Sequence, residues 1–261
     1  MVIDSHAHLM LPQERQHELM VEAGVDRTVL FTSRVHPEKA ETLGELEAEL
    51  KTLYQMLEGQ GDSQEARKQS LLALEEVVKI HPNRYWGFGS MPLGLGARES
   101  FEWVELQIVR RGFCGIGELT PGTGQVALLE PVFQASREAG GLPLWVHAFF
   151  PLQAQDIKTL LTMATGFPEV PLIVGHLGGL NWLEILQAVK NMPQVYLDLS
   201  ASYTTMAPMY AMRELPERVL FASDAPYSTP AVARHILEQV APSREVLNLA
   251  LGDNICRLLR K

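Results

Sequence analysis

The chain has 261 residues, of which 46% are hydrophobic and 20% charged, the balance of an ordinary globular protein rather than a disordered, collagen-like or coiled-coil one. Lys plus Arg number 22 against 31 Asp plus Glu, a formal charge of −9, which argues against broad binding to nucleic acid or to an anionic membrane. The length admits a single α/β barrel, which typically needs about 250 residues.

Short apolar runs rich in β-branched residues recur along the chain, and each reads as a buried parallel strand. The first two are Val2–His8 and Arg27–Ser33. Residues 37–82 then break the rhythm with two charged helical stretches, Glu38–Glu58 and Ser63–Ile80, joined by a turn at Gly59–Asp62. Further strands are predicted at Tyr85–Met91, Gly112–Leu119, Pro143–Phe149, Pro171–Leu177, Gln194–Ser200 and Arg218–Ala225. Amphipathic helical stretches separate the later ones, at Gln125–Ala139, Gln153–Thr165, Asn181–Lys190 and Pro230–Val240. The tail, Ser243–Lys261, reads as one or two closing helices.

Eight β/α units in this length predict a (β/α)8 TIM barrel, one domain over residues 1–261, with a helical insertion between strands 2 and 3. Periodicity alone leaves an open doubly wound sheet as the alternative. The insertion follows a strand, so it should emerge at the C-terminal face, as a lid over an active site or as a plain surface hairpin. Cys114 and Cys256 lie far apart and form no CxxC, so neither a disulfide framework nor a thiolate zinc site is implied. The first residues show no basic segment followed by an apolar core, and no apolar run reaches the ~18 residues of a membrane span. The expectation is a cytoplasmic protein with a small-molecule substrate and no nucleic-acid or membrane partner; a homo-oligomer is compatible with the sequence.

Polar residues concentrate at the predicted strand ends. His6 and His8 are two apart on the first strand and so share a face, with Asp4 one step deeper. Glu118 closes the fourth strand, His147 the fifth, His176 the sixth and Asp224 the eighth. A lone histidine on an apolar strand is ordinarily a hydrogen-bonded core residue. Four imidazoles and two carboxylates on one barrel rim are a different matter: they make a site for a divalent metal of the zinc, manganese, iron or cobalt type.

With these residues in place, Val2–Leu9, Leu172–Gly178, Ala222–Pro226 and Gly252–Leu259 resemble the amidohydrolase superfamily, and within it the amidohydrolase-related (amidohydrolase-2) branch, which also contains metal-dependent decarboxylases. The resemblance implies that His6, His8 and His147 bind the metal. Asp224 would ligate it or act as general base on its water, and His176 would hold a second metal or polarise the substrate. Glu118 sits where two-metal relatives carry a carboxylated lysine or a bridging glutamate. No lysine closes a predicted strand, which argues against a carbamate bridge; with two metals, Glu118 would be the bridge.

The cofactor expected from this reading is one or two divalent ions, zinc first. The expected activity is metal-dependent hydrolysis of a small molecule, a metal-bound water attacking an amide, lactone or ester centre. The alternative is a non-oxidative decarboxylase of a small carboxylic acid; a metal-dependent nuclease fits the acidic charge less well. Asp4 or Asp198 could hold a ligand imidazole in one tautomer, against the plainer reading of a carboxylate satisfied by backbone donors. Arg34, after the second strand, could clamp a carboxylate or join a surface salt bridge. Phe149, Phe150, Trp182, Tyr203 and Tyr227 could wall a pocket or simply pack under loops.

Overall fold

The computed structural model describes residues 1–58 and 63–260; the turn expected at residues 59–62 lies outside them. Eight parallel strands pair in sequence order: β1 (Ile3–His8), β2 (Arg27–Phe31), β3 (Tyr85–Gly89), β4 (Gly115–Leu119), β5 (Leu144–Val146), β6 (Leu172–Val174), β7 (Val195–Asp198) and β8 (Val219–Leu220). The seam between β8 and β1 is closed by backbone bonds. Ser5 N–H donates to Phe221 O at 2.9 Å, Asp224 N–H to His6 O at 2.9 Å, and His8 N–H to Ala225 O at 2.7 Å. The result is a nearly closed TIM barrel with helices between the strands.

The strands are buried on both faces, which is why they read as continuous apolar runs without alternation. Inside the barrel, Ile3, Val29, Phe31, Phe88, Trp145 and Leu220 form one cluster. Ile255, Leu258 and Leu259 of the last helix join it and plug the end of the barrel. Trp145 fills its layer because Gly175 lies beneath the ring; a Cβ there would sit 2.3 Å from the indole. A second, larger cluster fills the space between the sheet and the surrounding helices.

Three helices matter for the site. Helix α1 (Gln13–Ala23) links the first two strands and stops at Gly24, whose φ of 61° is the left-handed conformation that glycine adopts without strain. Helices α2 (Leu43–Leu57) and α3 (Gln64–Ile80) make up the insertion. Each has its own start signal. Thr42 and Glu45 form a reciprocal capping box on α2, and Ser63 Oγ accepts from Ala66 N–H at 3.1 Å on α3. Among the described residues no helix is long and apolar enough to cross a membrane.

The first and fourth strands end where predicted, at His8 and Leu119, and the other six end two to five residues earlier at the C-terminal rim. His176 and Leu177 have φ near 50°, and Asp224 has φ of 58°. Apolar composition cannot reveal that the chain turns left-handed there and leaves the ladder.

Candidate metal centre and substrate cavity

The six polar residues predicted at strand ends do converge. On β1, His6 and His8 face the rim with ring centroids 5.1 Å apart. Glu118 reaches across from β4. His8 Nε2 lies 3.4 Å from both Glu118 Oε2 and Asp224 Oδ1, while His6 Nε2 lies 3.9 and 3.8 Å from the same two atoms. Metal–ligand bonds of about 2.0–2.2 Å imply neighbouring donors roughly 3.0–3.6 Å apart. His6, His8 and Asp224 thus bring three donor atoms within 4.8 Å of one another, with Glu118 Oε2 beside both imidazoles.

His147 is not grouped with His6 and His8, as the sequence suggested, but with Glu118 and His176. Its Nδ1 is 2.7 Å from Glu118 Oε1 and 3.2 Å from His176 Nε2, and its Nε2 faces Phe150 O at 2.8 Å. His176 Nε2 lies 3.9 Å from the same Glu118 oxygen. The two oxygens of Glu118 therefore face two separate donor sets.

A divalent ion fits this chemistry on two further observations. The Nε2 atom of His6 is fully buried and without a hydrogen-bond partner, an arrangement that costs free energy unless something else engages it. Three carboxylates are also sunk in the rim. Burial pushes Glu118, Asp198 and Asp224 up, but neighbouring imidazoles more than reverse this and hold all three below the usual carboxylate range, Glu118 well below. Buried ionised carboxylates call for positive charge.

The same field acts on the histidines. Burial lowers His176, yet Asp224, Glu118 and Asp198 overcome it and lift the imidazole to about 9. His8 is raised for the same reason, against burial, by Asp224 and Glu118.

Beneath the rim the two aspartates divide the roles that sequence left open. Asp198 Oδ2 lies 3.4 Å from His6 Nδ1 and accepts from Trp145 Nε1 at 3.0 Å. Its other oxygen accepts from Ser200 N–H at 2.8 Å and from Ser200 Oγ–H, and Ser200 Oγ in turn meets His176 Nδ1 at 2.8 Å. One carboxylate thus steadies two site imidazoles. Asp4 takes the plainer part: it accepts from Ser223 N–H, Ser223 Oγ–H and His6 N–H at 2.9, 2.5 and 3.2 Å. Burial raises Asp4 to about 7 despite those bonds.

A cavity of about 500 Å³ opens above the donors, the size of a small-molecule site. Its floor carries His8, Glu118, His147, His176 and Asp224; Arg34, Phe149, Phe150 and Tyr227 line it as sequence suggested. Tyr227 stands edge-on to His8, ring centroids 5.8 Å apart, and burial with the nearby carboxylates Asp224 and Glu118 keeps its phenol protonated. Trp182 and Tyr203 do not line it; Trp182 Nε1 donates to Tyr203 Oη at 3.3 Å instead. Helix α2 contributes Leu50, Leu53, Tyr54 and Leu57, and α3 contributes Arg67 and Ser70. The insertion is therefore a wall of the cavity, not a detached hairpin.

Sequence reading missed Ser200, Trp145 and Arg67. Ser200 had a faint signal, two residues beyond Asp198 and so of the same strand parity. Arg67 had none, since nothing in the charged stretch around it distinguishes it from Lys68.

The Amidohydro_2 family, described as amidohydrolase, matches residues 3–261. The chain belongs to that family. No curated protein matches the sequence. Among solved structures, the chain is similar to 5-carboxyvanillate decarboxylase from Sphingomonas paucimobilis, with TM-score 0.71, 17% identity, and coverage of 99% of this chain and 98% of that one. It is also similar to a dihydroxybenzoic acid decarboxylase from Polaromonas sp. JS666 with bound manganese and the inhibitor 2-nitroresorcinol, with TM-score 0.67, 17% identity, and coverage of 99% and 96%. A third similar structure is 4-oxalomesaconate hydratase from Rhodopseudomonas palustris, with TM-score 0.66, 14% identity, and coverage of 100% and 96%. At these identities the likeness is one of fold.

Proposed function

We propose that the protein is a metal-dependent, non-oxidative decarboxylase of a small carboxylic acid. The observation that carries this reading is the cavity itself: metal-type donors on the floor, apolar walls, and the Arg34 guanidinium on its lining. Hydrolysis, the first expectation from sequence, would use the same floor. The similarity to two decarboxylases and the cationic, otherwise apolar lining favour the alternative.

His6, His8 and Asp224 would hold one ion, and Glu118 with His147 and His176 offers donors for a second. A bound divalent ion supplies Lewis-acid polarisation of a substrate oxygen. The remaining work falls to the chain's own groups. When the C–CO2 bond breaks, its electron pair stays on carbon, which must then receive a proton. With the first donor set alone occupied, the His176 imidazole, lifted above neutrality by Asp224, Glu118 and Asp198, would supply it as general acid. Ser200 and Asp198 hold the His176 ring in place. Phe149, Tyr227 and the α2 leucines keep water from competing for the carbanionic carbon.

Product analysis tests the reading. The purified, metal-loaded protein is offered hydroxybenzoates and small unsaturated acids beside a panel of lactones, amides and esters, in water enriched in oxygen-18 and, separately, in deuterium oxide. Decarboxylation releases carbon dioxide and places deuterium on the product carbon. Label from water oxygen appearing in a cleaved lactone, amide or ester, with no carbon dioxide from any acid, would return the assignment to hydrolysis.

A further inference from the structure

The face that helix α1 turns to the interior consists of Gln16, Leu19, Met20 and Ala23. That spacing is an apolar helical stripe, yet one of its four places is filled by an amide that is only 3% exposed. Burying an amide costs free energy unless its polar ends are bonded. Gln16 meets this condition outside its own helix. Its Nε2 donates to His8 O at 3.1 Å, and its Oε1 accepts from Met10 N–H at 3.1 Å. A backbone N–H only donates and a carbonyl only accepts, so the two partners fix which way the amide points.

Both partners lie where β1 ends. His8 is the last residue of that strand; its N–H goes to Ala225 O across the barrel seam at 2.7 Å, and the following N–H, of Leu9, goes to Phe31 O on β2 at 2.9 Å. Met10 N–H comes next, and Gln16 takes it. The His8 ring is oriented separately, its Nδ1 facing Thr32 O at 3.4 Å. Because that carbonyl accepts, Nδ1 carries the proton of the neutral ring and Nε2 keeps its lone pair toward Glu118 and Asp224. We propose that Gln16 is a positioning residue for the metal: it fixes the strand end from which His8 enters the first donor set. The inference rests on His8 as a metal donor and not on which reaction the metal serves. A donor performs its task only when its support holds it to within about 0.5 Å. An apolar residue at position 16 would fill the stripe equally well, but it would release the His8 carbonyl and leave the N–H of buried Met10 without this partner.

The test separates positioning from packing. Gln16→Met keeps the length and bulk of the side chain and removes both hydrogen bonds. Leu19→Ala opens a gap on the same face of the same helix and touches neither bond. Zinc affinity is measured by chelator competition, the cobalt(II) absorption spectrum reports the donor arrangement, and Tm is taken on metal-free protein. Gln16→Met should bind zinc about 10–100-fold more weakly and shift the cobalt spectrum. Leu19→Ala should lower the metal-free Tm at least as far, with zinc affinity within about twofold of the parent and the cobalt spectrum unchanged. Gln16→Asn keeps the amide on a stem too short to reach both partners; it should also lose affinity, and it stands in if the methionine variant does not fold. Zinc affinity within twofold of the parent in the folded Gln16 variants, or an equal loss in Leu19→Ala, overturns the proposal while leaving the metal centre in place. A parent protein that binds no metal overturns the metal centre and this role for Gln16 together.

Discussion

Asp198 shows how much one buried group can organise. It has no route to substrate, yet it faces His6 Nδ1, engages Ser200 and through it His176, and takes the Trp145 indole. Partners of this kind commonly govern metal affinity by about 10–100-fold. Asp198→Asn should lose roughly that much in a chelator-competition titration, with the circular dichroism spectrum unchanged; an affinity within twofold of the parent would remove Asp198 from the metal chemistry. His176 makes a pH prediction for the metal-free protein. Its folded value of about 9 exceeds the ordinary 6.5, so the folded state holds the proton more tightly than the unfolded one. The stabilisation is fully present below about pH 6.5 and is lost as pH rises through about 9. Tm of the metal-free protein should therefore fall between pH 7 and 9, and His176→Asn should flatten that slope. A variant with the parent's slope would show that His176 is not the group responsible. The chemistry of these positions was legible early, because histidine and acid at the ends of apolar runs are conspicuous. Their grouping was not: His147 sides with Glu118 and His176 through a distance of 2.7 Å that no spacing in sequence encodes.

At the scale of elements, backbone strain gathers where the site is built. Of the five non-glycine residues with positive φ among the described residues, His176, Leu177, Ala201 and Asp224 stand on the rim, and Arg260 lies near the end of the chain. Each costs about 1–2 kcal/mol relative to a right-handed residue, a strain retained typically where function needs the geometry. Ala201 is exposed, so Ala201→Gly tests the strain alone. It should raise stability in urea by about 0.5–1 kcal/mol, after allowing for the greater freedom of glycine in the unfolded chain. Gly179 gives the opposite case. It has φ of 56°, and a Cβ there would fall 1.8 Å from the Phe149 ring. Gly179→Ala should cost about 2 kcal/mol or more and displace Phe149 from the cavity wall, read as a lower urea midpoint and weaker ligand binding. The eight strands and the insertion helices were legible from apolar runs and charged helical stretches, although the first of those helices begins at Leu43 behind its Thr42 cap and not at Glu38. The left-handed turns at His176 and Asp224 were not, since neither residue type announces that conformation.

For the whole molecule, metal and fold should be coupled. The rim packs three ionised carboxylates and four imidazoles against each other in largely buried positions, so removing positive charge leaves repulsion among the carboxylates. A ligand that binds only the folded state stabilises by RT ln(1 + [L]/Kd), about 4 kcal/mol at a thousandfold excess over Kd. Exhaustive chelation should lower Tm by several degrees, and restoring zinc or manganese should recover it. A Tm indifferent to chelator, in protein shown to carry metal, would separate the site from stability.

Sequence by itself determined the succession of eight β/α units and the histidines and acids that meet on one rim. Periodicity and length are local properties, and eight buried strands joined by seven crossovers leave few ways to close. Histidines and acids at strand ends named the chemistry for the same reason, because a parallel barrel brings every strand's C-terminal end to one rim. Only the tertiary structure decided which oxygen of Glu118 faces which imidazoles, that Asp198 and not Asp4 steadies His6, and that Arg67 reaches the cavity from the insertion. Those facts depend on side-chain directions and on how a helical excursion folds back over the rim. Both are settled by packing among residues distant in sequence, and no run of neighbours carries that information.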